Sequence, residues 1–406
     1  MPNATTGVNT VLRNLVFKPG DVIIYFSTIY GACQKSVEYV VETTPAESHA
    51  VNYTYPISDK DLCAKFQAAI ESVKSQGKNP RLAIFDTIVS LPGVRMPFEE
   101  LTKICKSENV LSCIDGAHSI GQIPLNLRET DPDFYVSNCH KWLFVPRGCA
   151  VFYVPVRNQA LIRSSLPTSH GFVPKETEAV FNPLPPSGKS EFVNQFEFVG
   201  TLDNSPYLCV PAGVEWRRKV KYGELEGEEA IMKYCVDLAR KGGDEAAKTL
   251  GTEVMENPEG TLRRCAFANV RLPLELQEVA AGDMGKAVEI AQYVQPVKGF
   301  DNAITDLTLQ MDIQTPPGRV QHFPRPLHPR PKVLGPTERS NLPYGRRLCL
   351  VRENLAGSLR ESDKRRMEIV ENNNSYKTDF QNTSPHLLHC LIQPESEFLQ
   401  CCLVVL

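Results

Sequence analysis

Short apolar runs alternate with amphipathic segments through the first 160 residues of the chain. The apolar runs have the length of buried strands, whereas segments 60–73 and 98–105 carry their apolar residues on one face, which is typical of helices. The predicted strands are residues 22–26, 82–85, 111–114, 134–136 and 150–154. Because apolar strands that alternate with helices form parallel sheets covered on both faces, we predict an α/β fold, a three-layer αβα arrangement around a mostly parallel sheet.

The pattern becomes weaker beyond this region. Residues 164–205 are rich in loops, whereas periodicity predicts helices at 207–221, 226–240 and 285–294 and a strand at 265–272. Seven prolines fall between Pro316 and Pro336, and the segments after them are rich in Arg, Asn and Ser, a composition typical of poorly ordered chain. We therefore predict a large domain over 1–224, a smaller α/β C-terminal domain over 225–312 and a disordered tail over 313–406.

Composition narrows the classes of function. The chain of 406 residues has a formal net charge of −3 and 22% charged residues, without the clustered Lys and Arg that nucleic-acid or membrane binding requires. No apolar run is long enough to span a bilayer, and the N-terminus lacks the pattern of a signal peptide. The 13 cysteines are scattered and show no zinc-ligand spacing, so we expect no metal and a reduced, cytoplasmic setting.

Two charged residues stand where ligands bind to a parallel sheet, outside the carboxyl ends of its strands. Asp115 ends the strand at 111–114, and Lys141 follows the strand at 134–136 within the sequence SNCHKW (137–142). Covalently held pyridoxal phosphate needs a lysine for a Schiff base and an acid that keeps its pyridine nitrogen protonated. The apolar neighbours of Lys141 predict a desolvated, nucleophilic amine. The alternatives are an ordinary surface lysine and a turn or helix-cap aspartate.

Further polar residues suit the other contacts of that cofactor. His118 can hydrogen-bond a ring hydroxyl or act as acid and base, or it is a satisfied buried histidine. Thr5 and Thr6 precede an apolar helical run, where hydroxyl and backbone N–H groups bind phosphate, although a helix-capping threonine is the commoner meaning of this pattern. Ser137 and His140, beside Lys141, are further phosphate candidates.

Two residues that follow other strands complete the candidate site. Tyr30 follows the strand at 22–26 and is suited to stack on one face of the ring, and otherwise is an ordinary core or rim aromatic residue. Ser90, in the sequence SLPG, is suited to contact the ring hydroxyl or the substrate, and is equally well a turn serine.

Through these residues the chain resembles the class V aminotransferases, enzymes of pyridoxal-phosphate fold type I. Within them it is most similar to a fungal branch that includes proteins like isopenicillin N epimerase, loline-cluster proteins and hercynylcysteine sulfoxide lyases. The resemblance covers roughly residues 1–310. It is carried by segments 3–10, 90–93, 115–118, 137–142, 146–148, 167–171 and 198–203.

The resemblance implies a role for each candidate residue. Lys141 would hold the cofactor, and Asp115 would meet its ring nitrogen. Tyr30 would stack on the ring, and Thr5, Thr6, Ser137 and His140 would surround the phosphate. Thr201 corresponds to a residue that reaches the phosphate of the neighbouring subunit, so a homodimer with shared sites is implied.

The resemblance also implies features that the sequence lacks. The family has a segment before the phosphate-binding turn and an arginine that binds the substrate carboxylate, so we expect an N-terminally truncated chain with an aberrant C-terminal tail. No cysteine after residue 300 sits in the small-residue loop of a persulfide enzyme. The leading hypothesis is a pyridoxal-phosphate enzyme acting on an amino acid or a cysteine-derived substrate, by C–S lysis, epimerisation or amino transfer. The alternative is a non-catalytic remnant that still binds cofactor or dimerises.

Overall fold

The computed structural model describes residues 1–168, 188–197 and 199–271, together with Phe172, Pro174 and the backbone of Val404 and Val405. The helices are α1 Ala4–Asn14, α2 Gly31–Thr43, α3 Asp59–Ser75, α4 Phe98–Glu108, α5 Leu127–Thr130, α6 Cys139–Trp142, α7 Val156–Gln159, α8 Glu191–Glu197, α9 Ser205–Leu208, α10 Val210–Arg217 and α11 Gly227–Leu250. The strands are β1 Asp21–Phe26, β2 Glu47–Val51, β3 Asn79–Asp86, β4 Ile88–Val89, β5 Val94–Arg95, β6 Leu111–Asp115, β7 Phe134–Asn138, β8 Ala150–Tyr153, β9 Lys221–Tyr222, β10 Leu225–Glu226, β11 Asn269–Val270 and β12 Val404–Val405.

A six-stranded sheet is the frame of the fold, with strand order β2-β1-β3-β6-β7-β8. Its strands are parallel except β8, which runs antiparallel to β7. Every long apolar run that predicted a strand forms one of these strands, and the α/β prediction is confirmed. Because the carboxyl ends of parallel strands meet at one edge, the residues that follow β1, β3, β6 and β7 are brought to a common edge.

Helices cover both faces of this sheet, as expected for strands that are apolar on both sides. On one face, side chains of α1 and α2 pack with Ile23, Ile84 and Val136 in a single buried cluster. On the other face, Phe66 of α3 packs against Phe26, with ring centroids 5.5 Å apart. The layers are therefore helix, sheet and helix, as predicted.

Helix α1 begins earlier than its threonines suggest. The cap residue is Asn3, whose side chain accepts the backbone N–H of Thr6, a strong capping arrangement. The reading of Thr5 or Thr6 as the cap is therefore wrong. Gly7 allows the helix to approach β7 closely, since a Cβ at this position would lie 2.6 Å from Cγ1 of Val136.

Some elements depart from the sequence pattern. Neither α2 nor β2 was predicted. The predicted helix at 207–221 is divided into α9 and α10 and ends before β9, and the predicted strand at 265–272 is reduced to β11 in the part described. The predicted helix at 285–294 and nearly all of the predicted tail at 313–406 lie outside the described residues.

The described chain falls into two compact units. The first contains Met1–Val236 and Glu256–Ala266, and so includes the whole six-stranded sheet. The second contains Asp237–Met255, residues 267–271 and the short strand β12. The predicted boundaries near residues 224 and 312 stay predictions.

Two searches of the described residues bear on the class of function. None of the described helices is long and apolar enough to cross a membrane. Within the same residues there is no group of three His, Cys, Asp or Glu side chains that could hold a metal ion.

Candidate active site

Most of the predicted site residues come together at the carboxyl edge of the sheet. Asp115 is the last residue of β6, and Lys141 lies on the short helix α6, which directly follows β7. The start of α1 is tied to the same place, because the backbone N–H of Ala4 donates to Oδ1 of Asn138 at 2.8 Å. The structure therefore joins three segments that the sequence had marked separately.

Asp115 is a buried carboxylate with two neutral donors. Its Oδ1 accepts the backbone N–H of Ala117 at 3.0 Å, and its Oδ2 accepts the thiol of Cys33 at 3.3 Å. Burial raises the pKa of Asp115, although these hydrogen bonds and the charge of Lys141 oppose the rise. A carboxylate in this state is well suited to pair with a cationic ring nitrogen, because such a partner would repay the loss of hydration.

Lys141 lies beside His118, and the distance from its Nζ to Nε2 of the histidine is 2.9 Å. The other ring nitrogen, Nδ1, accepts the indole N–H of Trp142 at 3.3 Å. Burial, followed by the charge of Lys141, places the pKa of His118 well below its ordinary value of 6.5, so the ring is neutral at pH 7. The prediction that Lys141 itself is desolvated is wrong, because the residue is exposed while Cys139 and Trp142 on either side are buried.

The four predicted phosphate residues are placed differently from one another. Ser137 is fully buried, and its hydroxyl donates to the carbonyl of Gly116 and accepts the N–H of Ile120. The hydroxyl of Thr6 donates to Oδ1 of Asn3 at 3.0 Å. The hydroxyl of Ser137 thus binds the local backbone, and that of Thr6 binds the side chain that caps α1. Thr5 lies half-buried in the first turn of α1, where helix N–H groups favour an anion.

His140 has one ring nitrogen committed to the fold. The distance from its Nδ1 to the carbonyl oxygen of Cys149 is 3.0 Å, so Nδ1 carries the proton and donates. Burial lowers the pKa of His140, which leaves Nε2 as an acceptor in the neutral ring. A phosphate contact at Nε2 would therefore need a proton, either on the ring or on the phosphate.

The remaining predicted residues lie at other positions around the edge. Tyr30 immediately precedes α2 and is 47% exposed, so its ring is accessible for stacking. Ser90 follows β4 in the turn that leads to β5, and Thr201 lies exposed in a coil. Their roles toward a cofactor or a second subunit stay predictions.

Asp86 lies at the same edge of the sheet and was not among the predicted site residues. It ends β3 and pairs in register with Asp115 on β6. Its Oδ2 is buried without a hydrogen-bond partner among the described residues, as is Oγ1 of the adjacent Thr87. Burial, and then the charge of Asp115, raises the pKa of Asp86 well above its ordinary value. The sequence does contain a pattern that could have identified Asp86. It ends the apolar run at 82–85 in the same way that Asp115 ends the apolar run at 111–114.

Asp86→Asn is expected to stabilise the chain at neutral pH. Below about pH 4 both the folded and the unfolded chain hold the proton of Asp86. At higher pH the unfolded chain releases it while the folded chain retains it, so the wild type loses stability up to the raised pKa. Asparagine avoids this loss, and we expect a gain of about 1–3 kcal/mol at pH 7. Urea unfolding from pH 3 to 8, without added cofactor, measures it.

The control for this experiment is Glu71→Gln, a change at an exposed position of α3. It should leave the free energy of unfolding unchanged. A gain from Asp86→Asn of equal size at pH 3 and pH 7 would contradict the explanation, because the benefit would not come from an ionisation.

Arg217, at the end of α10, holds the loop after Asp115 and the helix that carries Lys141. Its guanidinium is fully buried and donates to the carbonyl oxygens of Trp142 at 2.6 Å and Gly121 at 2.8 Å. Its Nε and a terminal nitrogen also bind the two carboxylate oxygens of Glu228. Gly121 has a positive φ of +80°, and a Cβ at this position would lie 2.5 Å from the oxygen of Trp142. The two segments thus meet backbone to backbone.

Arg217→Met is expected to lower the free energy of unfolding by about 3 kcal/mol, because it leaves two buried carbonyls and a carboxylate without their donor. Methionine keeps most of the apolar volume, so the loss measures the polar contacts. Arg218→Met is the matched control, since the neighbouring side chain is 71% exposed and its change should stay within about 0.5 kcal/mol. Equal stability of the two variants in urea would show that the buried contacts contribute nothing.

Comparison with known proteins identifies the class of fold and then the family. The cystine C-S lyase C-DES, in complex with its reaction product cysteine persulfide, matches with a TM-score of 0.51 over 70% of this chain and 71% of that one. At 19% identity this match shows the fold alone, which is that of pyridoxal-phosphate fold type I. The family model described as Aminotransferase class-V matches residues 1–185.

Two curated relatives agree with this family. The L-cysteine desulfhydrase-like protein lolT1 of Epichloe uncinata is 43% identical over 285 residues, which cover 68% of this chain and 62% of the relative. The hercynylcysteine sulfoxide lyase of Schizosaccharomyces pombe is 34% identical over 272 residues, covering 67% and 64% respectively. The chain thus spans less than two thirds of the length of either relative. Residues 1–185 match the model of the class V aminotransferase family, and the resemblance predicted from the motifs is confirmed.

The residues at the sheet edge fit the cofactor that this family implies. Asp115 presents a buried carboxylate, and Lys141 presents an accessible amine. The buried oxygens of Asp86 and Thr87 that lack partners in the described structure are groups that a polar ligand would satisfy. At the phosphate end the fit rests on the first turn of α1, since Ser137 and Thr6 already bind the protein itself.

Proposed function

We propose that this protein is a pyridoxal-phosphate-dependent enzyme that cleaves the C–S bond of cysteine or of a cysteine conjugate. The observation that supports this most directly is the placement of Lys141 Nζ 2.9 Å from His118 Nε2, at the sheet edge where Asp115 is buried. The names of the two curated relatives, a desulfhydrase-like protein and a sulfoxide lyase, favour sulfur chemistry over amino transfer or epimerisation.

The cofactor, when bound, supplies a cationic ring that accepts electrons from a bond at the substrate Cα. Lys141 would hold it covalently and, once released by the substrate amine, its amine would remove the α-proton. Asp115 would keep the proton on the ring nitrogen. Tyr30 would cover one ring face, and Ser90 would reach the ring hydroxyl or the substrate.

His118 would serve proton transfer between Lys141 and the leaving sulfur. For cysteine, the overall reaction adds one water and yields sulfide, pyruvate and ammonia. One C–S bond breaks without any oxidant or reductant. The α-proton is lost and the departing sulfur must gain a proton, so a neutral histidine at hydrogen-bond distance from the lysine is suited to pass it on.

We also infer a homodimer, supported by the exposed position of Thr201 and by the family resemblance, with Thr201 reaching the phosphate in the partner subunit's site. A cytoplasmic setting is supported by the nine cysteines of the described chain, none of which forms a disulfide there, because disulfides are rare where thiols are kept reduced.

The test uses the full chain expressed with added pyridoxal phosphate. Borohydride reduction followed by peptide mass mapping should place the cofactor mass on the peptide that contains Lys141. Pyruvate should form together with an equal amount of sulfide from L-cysteine, or with an equal amount of the corresponding sulfenic acid from a cysteine conjugate sulfoxide. Lys103→Ala, which changes an exposed lysine of α4, is the control and should behave as the wild type.

Three outcomes would count against the proposal. A chain that takes up no cofactor would favour the non-catalytic alternative. A labelled chain that converts its substrate to a 2-oxo acid with the sulfur still attached would be an aminotransferase. A labelled chain that changes only the configuration at Cα would be an epimerase.

A further inference from the structure

Two buried carboxyl groups lie side by side on one face of the sheet. Asp86 and Asp115 are in-register neighbours at the ends of β3 and β6. Two residues earlier on these strands, Ile84 and Cys113 belong to the same buried cluster as Cys33 of α2. Because side chains alternate between the faces of a strand, both carboxyls lie on the side that α2 covers. Two like charges on neighbouring strands in a buried place oppose each other, so the pair favours a single negative charge.

The hydrogen-bond donors around the pair are unevenly distributed. Asp115 accepts the backbone N–H of Ala117 at 3.0 Å and the thiol of Cys33 at 3.3 Å, and both donors stabilise its ionised form. Oδ2 of Asp86 is buried without a hydrogen-bond partner among the described residues. A buried carboxylate that lacks a donor costs more free energy than a buried neutral carboxyl. The single charge is therefore more stable on Asp115, and the proton on Asp86.

The side-chain donor in this arrangement is the thiol of Cys33, and the fold holds it in place. Cys33 is fully buried in the first turn of α2, where its backbone N–H donates to the carbonyl of Tyr30 at 2.8 Å. Burial, followed by the charges of Asp115 and Asp86, raises the pKa of Cys33 well above its ordinary value. The thiol consequently keeps the proton that it donates to Asp115.

The other titratable groups near the pair act on it more evenly. The positive charge of Lys141 favours the ionised form of both carboxyls. Burial raises the pKa of Cys113, Tyr53 and Tyr55, so these groups are neutral at pH 7 and bring no charge to the pair. Within the described residues, the thiol of Cys33 is the side chain that donates to one carboxyl and not to the other.

We propose that Cys33 is a positioning residue that assigns the negative charge of the Asp86–Asp115 pair to Asp115. It touches neither the predicted ring nor the substrate in this scheme, and it acts through the carboxylate of Asp115. The consequence for catalysis rests on the proposed function, because a charge on Asp115 would meet the ring nitrogen, whereas a charge on Asp86 would lie one strand away. The assignment of the charge itself exists in the protein without cofactor.

The first test follows the two carboxyls by NMR in the full chain without added cofactor. In chain labelled with 13C-aspartate, the side-chain carboxyl signals are recorded from pH 3 to 8, and Asp86→Asn and Asp115→Asn identify them. At pH 7 the wild type should show Asp115 ionised and Asp86 protonated. In Cys33→Ala the apparent pKa of Asp115 should rise by about 1, because a weak hydrogen bond to the charged form is lost.

Two further variants separate the loss of the donor from the loss of packing. Cys33→Ser keeps a donor at this position, so the pKa of Asp115 should stay at or below its wild-type value. Cys113→Ala removes a buried thiol of the same cluster that makes no hydrogen bond to either carboxyl in the described structure. It should leave the titration of Asp115 unchanged.

The second test is the pH dependence of urea unfolding. Below about pH 4 the folded and the unfolded chain both hold the proton of Asp115. At higher pH the unfolded chain releases it, whereas the folded chain retains it up to its raised pKa, so stability falls over this range. In Cys33→Ala the fall should extend to a higher pH than in the wild type, Cys33→Ser or Cys113→Ala.

Three outcomes decide between the possibilities. A wild type in which Asp86 carries the charge at pH 7, or in which both residues do, would overturn the inference, and this result needs no variant to fold. A titration of Asp115 in folded Cys33→Ala equal to that of the wild type would also overturn it. A chain with the expected charge on Asp115 that takes up no cofactor would refute the proposed function and leave the inference standing.

Discussion

Lys141→Ala is expected to reduce turnover by at least about 10³-fold while leaving the fold intact. The reduction combines two losses, the covalent attachment of the cofactor and the base that removes the α-proton, and acid–base catalysis alone supplies about 10²–10⁴-fold. Stability should change little, because Lys141 is exposed and exposed substitutions usually stay within about 0.5 kcal/mol. Product formation and urea unfolding, measured on the same preparation, separate the two effects.

Lys141→Arg is the matched control for this prediction. It keeps a positive charge near Asp115 and His118 but provides no primary amine, and a guanidinium is effectively always protonated. We expect it to be as inactive as Lys141→Ala and to carry no cofactor mass after borohydride reduction. Substantial turnover in either variant would show that another lysine holds the cofactor and that the position of Lys141 beside His118 has no catalytic meaning.

Asp115→Asn is expected to lower turnover by about 10²–10³-fold with the cofactor still attached to Lys141. We expect a loss of this size because the variant removes the charged partner of the ring, which takes up the charge that develops in the reaction. Removing one donor from a preorganised site has a comparable effect. Asparagine has nearly the same shape but no charge to keep a proton on the ring nitrogen. The folded chain should be at least as stable at pH 7, because burial raises the pKa of Asp115 and the variant avoids the cost of ionising there.

The neighbouring carboxyl provides an internal comparison. Asp86→Asn, one strand away in register, should reduce turnover less than Asp115→Asn does. The reverse order would show that the carboxylate of β3, and not that of β6, meets the ring nitrogen. If both variants still carry the cofactor mass after borohydride reduction, the difference in turnover comes from the catalytic steps and not from loss of the cofactor.

The parts of the fold that the sequence predicted are those whose burial is complete. β1, β3, β6 and β7 lie inside the sheet with apolar side chains on both faces, so each appears as an uninterrupted apolar run. β2 was missed because it is an edge strand, and only Val51 among its five residues is fully buried. An edge strand that is largely exposed does not need an apolar run. The sequence ESHAV of β2 therefore shows no strand pattern.

The sequence also indicated which single residues at strand ends are chemically active. It did not indicate which of these residues lie next to each other on neighbouring strands. Asp115 and Lys141 were recognisable because each follows an apolar strand. Asp86 has the same local pattern, yet its importance depends on β3 lying beside β6, an adjacency that the order of strands along the chain does not state. The burial of Arg217 could not be predicted from the sequence, because a lone arginine in an amphipathic segment normally lies at the surface.

The sequence by itself determined the parallel sheet, the edge at which ligands bind and the lysine and aspartate that stand there, because these follow from local patterns of apolar and polar residues. Only the tertiary structure decided which groups meet. Lys141 and His118 are 23 residues apart, and Arg217 reaches Trp142 across 75. The position of a proton on an imidazole or the ionisation of a buried carboxyl depends on such neighbours, since water is excluded and each contact shifts the balance between two forms.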